Sequence, residues 1–140
     1  MELTYKFEKI TYDIIGCAME VHRALGNGFQ EVIYQRAMAL ELDRLKFTNA
    51  REVELPLFYR GSEIGSRRVD FLVENFILVE LKSIIQLEDV HLAQTLNYLE
   101  AFNLEIGLLI NFGSKSLQFK RMLNKKYQDS TIKRDPDLIE

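Results

Sequence analysis

The 140-residue sequence has one cysteine, two prolines and no apolar run near the roughly 18 residues that a membrane-spanning helix requires. The lone thiol, Cys17, lies among Ile14, Ile15, Ala18 and Met19. It excludes an intramolecular disulfide and a zinc knuckle, and reads as a buried residue of a reducing compartment. The opening Met1-Glu2-Leu3-Thr4-Tyr5-Lys6 lacks the basic and apolar segments of a secretory signal, so a cytoplasmic protein without membrane attachment is expected. With only 7 glycines, 47% hydrophobic and 28% charged residues, the chain is neither fibrous nor broadly disordered. Its length predicts one globular domain over residues 1–140.

An excess of positive charge is also missing, since the net charge is -3. That argues weakly against a nucleic-acid binder, but the charge is unevenly spread. From Lys115 to Arg134 seven basic residues, including Lys120 and Arg121, accompany one acid, Asp129, so this stretch carries +6 and the remainder -9. It is either a strip that holds phosphates or a solvated tail.

What is present is periodic. Ile10, Ile14, Cys17, Ala18, Val21 and Leu25 recur at three- and four-residue spacing and predict a helix over Phe7 to Leu25, stopped by Gly26-Asn27-Gly28. A second helix is predicted from Phe29 to Lys46. Three β-like runs follow, Val53 to Tyr59, Ile64 to Val73 and Phe76 to Lys82, with turns at Gly61 and Glu74-Asn75. A third helix is predicted over Val90 to Phe102, with Leu92, Leu96 and Leu99 as its packing face. The apolar Ile106 to Asn111 reads as a strand buried on both faces, and Ser116 to Lys120 as a last strand. The order ααβββαββ predicts an α/β protein, an α+β sandwich with a mixed central sheet flanked by helices.

Within strands that are otherwise apolar, Asp70, Glu80 and Lys82 stand out. If the hairpin pairs residues whose numbers sum to 150, Asp70 faces Glu80, Arg68 faces Lys82, and all four share one side. The other side is then Val69, Phe71, Val73, Ile77, Val79 and Leu81, entirely apolar. That register needs an odd-numbered loop around Glu74-Asn75-Phe76. Two carboxylates one strand-pair apart can share Mg²⁺ or Mn²⁺, which lowers the pKa of a bound water and neutralises charge on a phosphate. Lys82 can position that water or stabilise the transition state. The alternative reading of the same residues is a structural salt bridge between Lys82 and Glu80 or Asp70.

On the third helix His91, Gln94 and Tyr98 form one polar stripe, which either overlooks the carboxylates or faces water. Glu31, in the first turn of the second helix, is favoured there by the helix dipole and offers a third carboxylate.

With these residues assembled, the chain resembles the PD-(D/E)XK nuclease superfamily and, within it, the small bacterial GxxExxY family. Gly28, Glu31 and Tyr34 are similar to the naming motif. Val69 to Val73, Leu78 to Lys82, His91 to Leu99 and Gly107 to Gly113 resemble its other blocks, covering about Phe7 to Arg121. The resemblance implies a restriction-endonuclease-like αβββαβ core, with Asp70 and Glu80 as metal ligands and Lys82 as the catalytic lysine. It implies that Glu31 is the acidic residue of the first core helix, and that Gln94 and Tyr98 match the Q-x-x-x-Y motif of RecB-like nucleases. Val69 departs from the superfamily's proline. The expected function is Mg²⁺- or Mn²⁺-dependent hydrolysis of DNA, with His91, Gln94, Tyr98, Arg68, Lys120 and Arg121 as substrate contacts. The alternatives are a non-catalytic nucleic-acid-binding module or a protein-interaction module on the same fold, and a homodimer is plausible on an exposed apolar helix face.

Overall fold

The computed structural model describes residues 2–129, so Lys133 and Arg134 of the basic strip lie outside it. The elements are α1 (Glu2–Leu25), α2 (Glu31–Arg44), β1 (Asn49–Tyr59), β2 (Ser62–Val73), β3 (Ile77–Lys82), α3 (Asp89–Ala101), β4 (Ile106–Asn111) and β5 (Gln118–Leu123). The expected ααβββαββ order is therefore present. The five strands form one mixed sheet in the order β1-β2-β3-β4-β5. Only β3 and β4 are parallel, because α3 crosses over between them, and every other neighbouring pair is antiparallel.

Helices α1 and α2 cover one face, where Ile14, Ala18, Val21, Tyr34 and Met38 pack on Phe71, Val79, Leu81, Leu108 and Ile110. On the other face Leu99, Tyr98 and Phe102 of α3 pack around Val69, Leu72 and Leu78. All six residues of β4 are buried, as its apolar run predicts. Two expectations need correction. The buried residues of α3 are Thr95 and Leu99, with Tyr98 beside them, so the stripe read as purely polar is partly the packing face. The last strand is displaced to Gln118–Leu123, because its register pairs Asn111 with Gln118 and Ile106 with Leu123.

Two local devices set the polar end of the sheet. Gly26, at φ 79, ends α1 with a left-handed residue and donates its N–H to His22 O at 2.9 Å. The Tyr34 hydroxyl donates to Gly26 O at 2.6 Å and accepts from Phe29 N at 3.1 Å, while its ring stacks on Phe112 at 4.6 Å. Tyr34 thereby fixes where α2 starts, and Glu31 with it. Beyond β3, the buried Asn111 side chain accepts from Ile84 N and Gly113 N and donates to Ile84 O, each at 3.0 Å. The chain after Lys82 is thus clamped to the end of β4.

Gly113 completes that clamp by close approach, since a Cβ there would meet Ile84 N at 2.3 Å. Gly113→Ala is expected to destabilise the protein by about 1–3 kcal/mol, measured as a lowered urea midpoint with an unchanged slope.

Candidate active site

The hairpin register is the expected one: Phe71 pairs with Val79, Leu72 with Leu78 and Val73 with Ile77, each summing to 150. Glu74 and Asn75 turn the chain with φ 54 and 66, both in the left-handed region. The backbone ladder ends before Asp70 and Glu80. There the carboxylates replace it: Asp70 N donates to Glu80 Oε1 and Leu81 N donates to Asp70 Oδ2, both at 2.8 Å. Pairing with β1 is interrupted at the same place, passing from Arg51↔Phe71 to Val53↔Val69 over Glu52, whose φ is 52.

This break corrects the expectation of strict alternation along β2. Val69 packs with Leu78 and Leu99 on the α3 face, whereas Phe71 and Val73 pack under α1 and α2. The strand changes faces at Asp70, so the predicted apolar side does not include Val69, and Arg68 is not opposite Lys82. Arg68 instead sits in the solvent, 3.5 Å from Glu52.

Glu80 is 7% exposed, and burial, reinforced by the neighbouring Asp70 charge, pushes its carboxyl up to about 8. Burial also raises Asp70, against the opposing effect of hydrogen bonds from Leu81 N and from Gln35 Nε2 at 3.1 Å. Lys82 makes no ion pair with either carboxylate among the described residues and lies 3.5 Å from Gln94 Oε1. The structural salt bridge is therefore not what holds these three side chains. Glu31 joins from the start of α2, where partial burial of its carboxyl raises its pKa while Lys82 and the Ser83 backbone oppose the rise.

Of the remaining expected residues, Gln94 reaches Lys82, and Tyr98 lies in the field of Glu80 and Asp70. His91 does not join them, because its Nδ1 accepts from Glu88 N at 2.9 Å in a capping box that starts α3. Lys120 and Arg121 are on β5, two strands from β3, and Arg121 donates to Thr11 Oγ1 of α1 at 3.0 Å. Gln35 and Arg67 were invisible to spacing. Gln35 belongs to the buried face of α2, where an amide looks like a helix surface residue, and Arg67 gains its place only through the face change at Asp70.

Asp70 and Glu80 supply hard oxygen donors, two per carboxylate, and among the described residues no protein cation is bonded to them. This fits Mg²⁺ or Mn²⁺, which take one or two protein carboxylates and fill the rest of the shell with water. No group of three His, Cys, Asp or Glu side chains converges among the described residues, so Glu31 does not complete a three-ligand cluster in this arrangement.

Two predictions follow from the carboxylates. Because Glu80 is raised in the folded protein, its contribution to stability is complete at acidic pH and is lost as pH climbs through about 8. In EDTA, Glu80→Gln is expected to flatten that loss and to be about 2–4 kcal/mol more stable than the parent near pH 9. Thermal unfolding across the pH range measures it. Gln35→Leu removes one of the two hydrogen bonds that orient Asp70, and is expected to speed hydrogen exchange at the Leu81 amide while the amides of β4 stay protected.

Comparison with known proteins agrees with this architecture. A search of curated proteins finds no match. The crystal structure of SSO0001 superposes with a TM-score of 0.54 at 20% identity, covering 72% of this chain and 52% of that one. The likeness is one of fold, and the chain spans about half the length of that protein. The family description of the PD-(D/E)XK nuclease superfamily matches residues 8–122, which include most of α1, all of α2, the carboxylate strands, α3 and nearly all of β5. With the match running over most of its length, this chain belongs to the PD-(D/E)XK nuclease superfamily.

Proposed function

We propose that the protein is a divalent-metal-dependent nuclease that hydrolyses phosphodiester bonds of DNA, with Asp70, Glu80 and Lys82 at its centre. The observation that carries this reading is a buried carboxylate, Glu80, and a half-buried one, Asp70, on adjacent strands, hydrogen-bonded across the gap and, among the described residues, in no ion pair. Two like charges brought together out of water are costly, and a bound cation offsets that cost. Gly28, Glu31 and Tyr34 support placement in the GxxExxY family.

Asp70 and Glu80 would hold the metal, and Glu31, which does not converge with them, would act on it through an intervening water. When bound, Mg²⁺ or Mn²⁺ would lower the pKa of a coordinated water and neutralise charge on the phosphate. Gln35 and Leu81 N hold Asp70 in orientation, each using one lone pair and leaving the others directed to the ligand. Lys82 brings a positive charge beside the pair without being consumed by a salt bridge, and Gln94 steadies its ammonium. In the proposed reaction that charge would orient the attacking water or stabilise the pentacoordinate phosphorus of the transition state. Tyr98 lies on the α3 side of the same site.

Asp70→Ala, Glu80→Ala and Lys82→Ala are each expected to lower Mg²⁺-dependent cleavage of a DNA substrate at least about a hundredfold while the circular dichroism spectrum is retained. Unchanged cleavage in all three folded variants would overturn the assignment. Salt-sensitive DNA binding without turnover in the parent would identify a binding module instead.

A further inference from the structure

Arg67 occupies a position that the nuclease reading leaves without a task. It pairs in the sheet with Leu55, and directly opposed residues share a side. Leu55 packs in the cluster that includes Val69 and Tyr98, so Arg67 is on the α3 face of β2. There its guanidinium faces the Tyr98 hydroxyl, which also lies in the field of Glu80 and Asp70.

Among the described arginines, Arg36, Arg51, Arg60, Arg67 and Arg121 form no ion pair. Arg23, Arg44 and Arg68 form ion pairs, and Arg121 is bonded to Thr11. Arg67 makes no ion pair among the described residues. Its Nη1 donates to Ser66 O at 2.8 Å, which occupies one of the five N–H donors of the planar group. Its side chain is exposed. An oriented, unpaired guanidinium beside an amphipathic hydroxyl is the donor set that a phosphodiester anion takes up bidentately.

Building on the nuclease reading, we propose that Arg67 and Tyr98 form a phosphate-binding site for the DNA strand, holding a backbone phosphate that neighbours the one cleaved. Position sets which phosphate it is. Arg67 is three residues along β2 from Asp70, about 10 Å at strand rise, so it reaches past the carboxylates to the next part of the strand. Lys82 and Gln94 attend the phosphate at the carboxylates, and Arg67 and Tyr98 attend its neighbour. The strand accordingly runs along the α3 side of the β1–β2 ribbon. Contact with a phosphate positions the strand without reading its sequence, so the site is indifferent to base identity.

The test is equilibrium binding of a fluorescent DNA oligonucleotide, with Ca²⁺ in place of Mg²⁺, over a series of salt concentrations. Arg67→Ala is expected to weaken binding about five- to tenfold and to reduce the slope of log K against log salt by about 1, whereas Arg67→Lys keeps the slope. Under Mg²⁺ turnover, Arg67→Ala is expected to raise KM several-fold with kcat nearly unchanged. Arg36→Ala, on the exposed side of α2, serves as the charge-matched control and is expected to leave the slope intact. An unchanged slope in Arg67→Ala, or a loss confined to Arg68→Ala, overturns the site even if the parent cleaves DNA. A reduced slope in Arg67→Ala with no cleavage by the parent upholds the site and overturns the hydrolytic reading.

Discussion

Everything at the polar end of this sheet depends on the exchange by which Asp70 and Glu80 stand in for backbone hydrogen bonds between β2 and β3. A backbone N–H buried without a partner is costly, so a ladder cannot simply stop inside a core. Here it stops because the carboxylate of each strand accepts an amide of the other. Both carboxylates are thereby held by backbone amides. Stability and chemistry oppose each other at this spot, since the same burial that orients the acids disfavours their charge.

The supports around the pair arrive from three elements. Gln35 descends from α2, Tyr34 pins the start of that helix to Gly26 and Phe112, and α3 contributes Gln94 and Tyr98. Asn111, at the end of β4, grips the chain that leaves Lys82. Apart from the exposed Gln94, each support is a buried or half-buried polar group, and no buried side-chain nitrogen or oxygen lacks a partner among the described residues. Such networks define one geometry because a partly made one is worse than none.

How much of this could be read from residues alone varies with the range of the interaction. Periodicity located all eight elements, and the alternation of Phe71, Val73, Ile77, Val79 and Leu81 set the hairpin register, since a slip of one would have exposed the apolar side. The three central residues followed from that register. What alternation could not supply was its own failure at Asp70, which depends on Glu52 in the neighbouring strand and carries Arg67, not Arg68, toward Tyr98. His91 looked like a site residue because helical spacing aligns it with Gln94 and Tyr98, but its position three residues after Glu88 makes it a cap. Lys120 and Arg121 were grouped by charge, a property that says nothing about which strand lies between them and β3.

The left-handed residue Glu52 also matters to the outer border of the sheet. β1 is an edge strand of 11 residues, long enough to recruit a strand from another chain if its free edge were regular. The kink at Glu52 interrupts that edge at its fourth residue, Pro56 removes a donor four residues later, and Arg51, Glu52 and Glu54 crowd it with charge. The irregularity that lets Asp70 leave the ladder therefore blunts the sheet against edge-to-edge aggregation, so a substitution that straightened β1 would endanger solubility and site geometry together.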